Sequence, residues 1–272
     1  MKFESYVQNL AIANNFKEQI LNKDFRDKNP IFYQNYPSLF SNIFEISNSN
    51  LNLLDIAGYL YYQATLFTDS LIDEKDLSKF PLITICQEES IKILTSIFGL
   101  QNNFWVLWNS RKQEYFEAIF LEKELSKKQI VSIDEYENLA DKKAAFGKVA
   151  IDCLLSLDNK GETIHEQLLL SHRYFSVAFQ LNDDIQDFKD DIKKRQFNWA
   201  VYILQQQNIS TQDINILQKY LYIRGVSKQI YQLGIDYCDK SLWNVKSVNV
   251  PEWKLVIEEL KKNTFKTYRR NR

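Results

Sequence analysis

Five carboxylates crowd into one short stretch, Phe179 to Asn198, which reads FQLNDDIQDFKDDIKKRQFN with Asp183, Asp184, Asp187, Asp190 and Asp191. In helical register Asp183, Asp187 and Asp191 stand at i, i+4 and i+8 and share one face, with Asp184 beside them. At about 6 Å and an effective dielectric of about 20, each such pair costs about 3 kcal/mol. A helix carries that load when something positive sits against it. No histidine or cysteine is interleaved, and an all-oxygen donor set suits a hard cation, Mg²⁺ first. The competing reading of the stretch alone is a solvated acidic face.

A second acidic pair lies far upstream. From Leu51 to Asp73 the run LNLLDIAGYLYYQATLFTDSLID is apolar on nearly every face, interrupted by Gly58, as expected of a helix in the middle of a bundle. It ends in Asp69, Asp73, Glu74 and Asp76. Asp69 and Asp73 project from one side of the helix C-terminus, where the macrodipole disfavours anions by a few tenths of a kcal/mol each. Both acidic clusters therefore close long apolar helices. The expected arrangement has the two ends facing each other across a cavity mouth, sharing Mg²⁺ ions that bridge to an anionic substrate such as a diphosphate. Tyr61, Tyr62, Leu66 and Phe67 on one helix, with Phe175, Phe179 and Leu181 on the other, would line an apolar shaft below, matched to a hydrocarbon tail. A packed core with acidic helix ends is the alternative.

With six Gly and four Pro among 272 residues, the chain is too poor in turn formers for a β architecture, so an all-α fold is expected. No linker or repeat divides it, and one domain over 1–272 is the simplest organisation. Helices are expected over about 3–23, 37–47, 51–73, 84–98, 104–125, 133–157, 163–191, 199–207, 211–223, 227–243 and 252–267, with Asn103 and Ser132 as caps. The 34 basic and 35 acidic residues leave a net charge of −1, so no nucleic-acid partner is expected. Three scattered cysteines, Cys86, Cys153 and Cys238, read as buried free thiols in a reducing compartment. No apolar run is long enough for a transmembrane span and the N-terminus lacks an apolar signal core, so the expected location is cytoplasmic.

The stretch from Phe179 resembles the second aspartate-rich motif of the all-α polyprenyl synthetases and related class I isoprenoid enzymes, FQxxDDxxDxxxD. Phe179, Gln180, Asp183, Asp184, Asp187 and Asp191 fill every position. LFTDSLID resembles the first motif, LxHDDxxD, with Asp69 and Asp73 in place; Ser70 stands where the second aspartate would be, with Glu74 as a possible substitute. Between them, DKKAAF (141–146) resembles the segment whose lysine touches the diphosphate, a role open to Lys142 or Lys143. The resemblance covers roughly residues 50–200.

It implies an isoprenoid synthase-type helical bundle around a central cavity, a homodimer, and ionisation of an allylic prenyl diphosphate assisted by up to three Mg²⁺ ions. Asp69, Asp73, Asp183, Asp184, Asp187 and Asp191 would be the metal ligands. Tyr62, Phe67, Phe146 and Phe179 are the cavity aromatics whose ring faces would stabilise the carbocation. Lys194 and Arg195, next to Lys193, either reach the diphosphate or solvate the surface. Arg269 and Arg270, with Arg272, resemble the basic tails that fold over the diphosphate in some relatives.

One departure bears on the reaction. Chain-elongating relatives carry a basic GGKRxRP-type motif near the N-terminus for a second diphosphate. Here Lys23, Arg26 and Lys28 are scattered and no Gly-Gly occurs. The expected activity is therefore a Mg²⁺-dependent class I terpene synthase, in which the cation is cyclised, deprotonated or quenched by water. The alternatives are prenyl transfer to isopentenyl diphosphate or another acceptor, and a non-catalytic partner subunit of a prenyl synthase. A di-iron carboxylate bundle fits poorly, because Glu162 and His165 form one Glu-x-x-His pair and His172 has no matching glutamate.

Overall fold

The computed structural model describes residues 2–27, 29–158, 162–207, 209 and 211–270, leaving aside the side chains of Phe25, Asp27, Asp73, Glu162 and Arg270. Every regular element among the described residues is helical. The contacts gather into two compact units, residues 1–108 with 149–160, and residues 109–148 with 161–272.

The first unit is built on α4 (Asn48–Asp73) packed along α5 (Phe80–Phe98). Ser47 starts α4 by accepting the Asn50 amide at 3.2 Å, which satisfies one of the open N–H groups of the first turn. Leu54, Ala57, Leu60, Ala64 and Phe67 are buried along it. Two polar tethers cross its packed faces: Ser90 Oγ donates to the Ala57 carbonyl at 2.9 Å, and Gln63 Nε2 donates to the Ile20 carbonyl at 3.1 Å. Ahead of α4 lie α1 (Phe3–Gln8), α2 (Asn14–Ile20), α3 (Lys23–Asp27) and two 3-10 stretches, Ile31–Asn35 and Pro37–Ile43. The single helix expected over 3–23 is thus broken: Asn9 bonds back to the Ser5 carbonyl at 2.9 Å and ends α1.

The second unit centres on α9 (Glu162–Gln186), against which α13 (Val226–Asn244) lies along its length, with α14 (Pro251–Arg270) on α13. Gly234 of α13 lies against α9 and α14, where a Cβ would stand in ordinary contact with Asn182 Nδ2 at 3.5 Å. Trp253 is fully buried and its indole donates to Ser171 Oγ at 2.9 Å, while Thr264 donates to Asn182 Oδ1 at 3.0 Å. The rest of α6 (Phe104–Leu125), α7 (Ile133–Lys143), the start of α8 (Ala145–Asp158), α10 (Phe188–Lys194), α11 (Trp199–Gln205) and α12 (Ile214–Ile223) complete the unit.

Caps and breaks refine the expected boundaries. Ser132 and Glu135 form a full capping box on α7. Asn102, not Asn103, takes the Phe104 amide at 2.8 Å. The helices expected over 133–157 and 163–191 are each interrupted, at Ala144 and at Asp187. All three cysteines are buried and free, and burial pushes the Cys86 thiol up to about 12. No helix among the described residues is long and apolar enough to cross a membrane.

Candidate active site

In the second unit the aspartate ladder survives the helix break. Although α9 stops at Gln186, the Asp187 amide still bonds the Asp183 carbonyl at 2.8 Å and the Asp191 amide bonds the Asp187 carbonyl at 2.9 Å. The four-residue repeat that sets the three carboxylates on one side therefore continues from α9 into α10. Phe188, fully buried, anchors α10 at its first residue.

Charge crowding is visible at each member. Burial pushes the Asp183 carboxyl up to about 7, helped by the negative charges of Asp187, Asp184 and Asp191 and opposed by the Lys143 ammonium. Asp187 is raised by desolvation and Asp190, and Asp191 by desolvation and Asp187, with Lys143 again opposing both. Lys143 thus acts on the whole bank, while its Nζ is bonded to Glu122 at 2.9 Å.

Asp184 differs from its neighbours. It is 1% exposed, and its oxygens accept from Tyr136 Oη (2.9 Å), Gln180 Nε2 (2.9 Å) and the Trp199 amide (2.8 Å). Desolvation raises it to about 6, and those donors work against the rise. Asp184, expected as a metal ligand beside Asp183, is buried here, and its carboxylate ties α9 to α7 and to the start of α11. Asp191 Oδ2 is held by Asn198 Nδ2 at 2.8 Å. Tyr136 and Asn198 were not singled out from sequence. The signal for Asn198 was its place before the apolar run WAVYIL, where an N-cap belongs.

The two lysines of 141–146 part company. Lys142 Nζ bonds Glu117 at 2.6 Å and borders an open groove of about 620 Å³ lined also by Arg111, Glu114, Asp141 and Lys148. Lys148, 4% exposed, is paired with Glu114 and Asp141, both at 2.8 Å. Of the cations after the second motif, Lys193 is paired with Asp190 at 2.8 Å, and Lys194 acts on Asp187. Arg195 closes α10 in the left-handed region at φ +58°. The Arg269 guanidinium lies 4.5 Å over the Phe265 ring. The Arg270 side chain and Arg272 lie outside the described residues. Phe146 packs against Tyr115 at 5.0 Å and Phe179 against Phe175 at 6.0 Å, both half-buried.

In the first unit Asp69 is exposed near the end of α4, which Asp73 closes; the Asp73 side chain lies outside the described residues. Glu74 is exposed and its amide bonds the Ser70 carbonyl at 3.0 Å. Phe67 is 3% exposed, with the Lys79 ammonium 6.0 Å over its ring. Tyr62 stacks on Tyr33 at 4.0 Å and its hydroxyl bonds Asn29 at 3.1 Å, so one ring face is already covered. Arg26 bonds Glu4 at 2.7 Å and Gln34 at 3.2 Å, and its guanidinium lies over Phe3 and Tyr59.

Among the described residues no three histidine, cysteine or acidic side chains converge tightly enough to enclose a metal ion on their own. The donor set on the bank is carboxylate oxygen alone, a set that fits a hard cation such as Mg²⁺. Asp183, Asp187 and Asp191 are the candidate oxygen donors; burial first, and neighbouring carboxylates second, hold each carboxyl above its ordinary range against the opposing Lys143 ammonium.

No protein-family model matches the chain, and no curated protein matches it. Solved structures do. A geranylgeranyl pyrophosphate synthetase from the archaeon Geoglobus acetivorans superposes with a TM-score of 0.76 at 14% identity, over 95% of this chain and 94% of that one. A decaprenyl diphosphate synthase from Rhodobacter capsulatus gives 0.77 at 13% identity, over 99% and 94%. A polyprenyl synthase from Caulobacter crescentus, complexed with calcium and isoprenyl diphosphate, gives 0.76 at 15% identity, over 96% and 92%.

Proposed function

We propose, from the premise that this chain has the all-α isoprenoid synthase fold, that it is a Mg²⁺-dependent enzyme ionising an allylic prenyl diphosphate and transferring the prenyl group to an acceptor. The observation that carries the proposal is the bank of Asp183, Asp187 and Asp191, kept in one i to i+4 ladder across the helix break, on a fold whose solved neighbours are prenyl diphosphate synthases. The sequence favoured a terpene synthase; the relatives support the transferase reading better.

In this reading bound Mg²⁺ would supply the positive charge that makes the diphosphate a leaving group. Asp183, Asp187 and Asp191 would hold the ions in the second unit, and Asp69 and Asp73 are the first motif's candidate ligands in the first. Asp184 keeps the bank in place from behind. Lys143 offers its ammonium to a diphosphate oxygen as the allylic C–O bond breaks. Phe146 and Phe179 keep water from the cation and turn ring faces to it. The acceptor's electron pair then forms the new bond at the former C–O carbon, and the proton it displaces leaves to the departed diphosphate. Exposed Phe116 and Phe120 on α6 support a homodimer as part of the proposal.

One observation favours the terpene synthase as a second reading. Arg26, a basic residue of the N-terminal region, is committed to Glu4, Gln34 and two aromatic rings rather than to a second diphosphate. Incubation with Mg²⁺ and geranyl, farnesyl or geranylgeranyl diphosphate, with and without isopentenyl diphosphate, separates the two. Longer diphosphates formed only when isopentenyl diphosphate is present are the expected result. A hydrocarbon or alcohol from one allylic diphosphate alone would replace transfer with the terpene synthase. No pyrophosphate release from any of the three would overturn the enzyme reading in favour of a partner subunit.

A further inference from the structure

We infer that Asn198 is a positioning residue for the cation-binding face of the second aspartate motif, acting through Asp191 and Asp184. The inference rests on the proposed role of Asp183, Asp187 and Asp191 as Mg²⁺ ligands, and adds a residue that no motif contains.

The backbone brings Asn198 to the bank by a reversal. α10 ends at left-handed Arg195, and the Gln196 amide bonds the Asp191 carbonyl at 3.0 Å. The chain then turns back, and Asn198 finishes 2% exposed. Both N–H donors and one acceptor site of its carboxamide are used. Nδ2 donates to the Asp184 carbonyl at 2.7 Å and to Asp191 Oδ2 at 2.8 Å, while Oδ1 accepts the Val201 amide at 3.0 Å. The next amide, of Trp199, grips Asp184 Oδ2 at 2.8 Å. One side chain therefore joins the end of α9, the first turn of α10 and the start of α11.

Capping α11 explains only the Oδ1 bond. Serine, threonine or aspartate would serve an N-cap as well. The two donor bonds are a separate demand, which a primary amide meets and a hydroxyl or carboxylate does not. They fix one oxygen of Asp191 and the last-turn carbonyl of α9, so the spacing of Asp183, Asp187 and Asp191 across the helix break does not depend on the backbone alone. An outer partner of this kind changes metal affinity rather than supplying a ligand, typically by 10- to 100-fold when removed.

The test is Asn198→Ser in the full chain, which keeps an acceptor for the cap and loses both donors. Mg²⁺ is titrated calorimetrically in the presence of inorganic pyrophosphate, beside wild type and Asp183→Ala. The expected result is Mg²⁺ affinity weakened about tenfold, a matching rise in the Mg²⁺ concentration for half-maximal turnover, and kcat restored at saturating Mg²⁺. Wild-type Mg²⁺ affinity in Asn198→Ser, with affinity lost in Asp183→Ala, would overturn the inference and leave the proposed function standing. A wild-type protein that binds no Mg²⁺ even with pyrophosphate would overturn both. If Asn198→Ser is too unstable to titrate, the same measurement on Asn198→Thr, Asp191→Asn and their double variant decides. The two effects are then expected to be non-additive, and full additivity would overturn the inference.

Discussion

Lys142 and Lys143 are adjacent in the chain, yet their ammonium groups end on different carboxylates, Glu117 at 2.6 Å and Glu122 at 2.9 Å. The second of these also acts on Asp183, Asp184, Asp187 and Asp191. Adjacent residues on a helix point about 100° apart, so at most one of the pair serves the aspartate bank.

Lys143→Ala is therefore expected to lower kcat/KM for the allylic diphosphate by about 100-fold, in the range for removing one preorganised transition-state donor. Lys142→Ala, which opens an exposed ion pair worth little, is expected to stay within about threefold of wild type. Steady-state pyrophosphate release measures both, and equal losses would reject the assignment of Lys143.

Neighbouring aspartates should respond in opposite ways. Asp184→Ala leaves the Tyr136 hydroxyl and the Trp199 amide buried without their acceptor, at a cost of about 3 kcal/mol in urea unfolding. Asp183→Ala removes a crowded anion and is expected to keep or raise metal-free stability while abolishing turnover. Circular dichroism melts and pyrophosphate release on the two variants check the contrast.

The pH dependence of the metal-free protein has a definite sign. Asp183, Asp184 and Asp55 have folded values near 7, 6 and 6, all above the ordinary 3.8. The folded state thus holds protons that the unfolded chain has released. Their contribution is fully present below about pH 4 and is lost as pH rises through about 6 and then 7. The urea midpoint without divalent cations is expected to fall across that window, and Asp183→Asn to flatten its upper part. Adding Mg²⁺ with pyrophosphate at pH 8 is expected to raise the melting temperature, because the ligands bind the ionised bank.

Arg195 adopts the left-handed conformation at φ +58°, which costs a residue with a Cβ more than it costs glycine. Arg195→Gly is expected to stabilise the protein by about 1 kcal/mol, read as a shift in urea midpoint without a change in slope.

What the sequence determined on its own was periodic and local. Gly and Pro scarcity with long 3.6-residue patterns specified helices, and Ser132 marked the start of one. The repeat Asp183–Asp187–Asp191 placed three carboxylates on one side, and that outcome outlasted the break at Asp187 because the i to i+4 backbone bonds carry across it. Tertiary structure decided everything that depends on a partner distant in the chain. Asp184 faces inward because Tyr136 and Trp199, far from it in sequence, offer donors where water is excluded. Tyr62 stacks on Tyr33, and Asn198 reaches Asp191 because the chain reverses after Arg195. A spacing rule fixes which residues share a helix face, whereas burial and hydrogen-bond satisfaction, which no single helix contains, fix what each of those residues does.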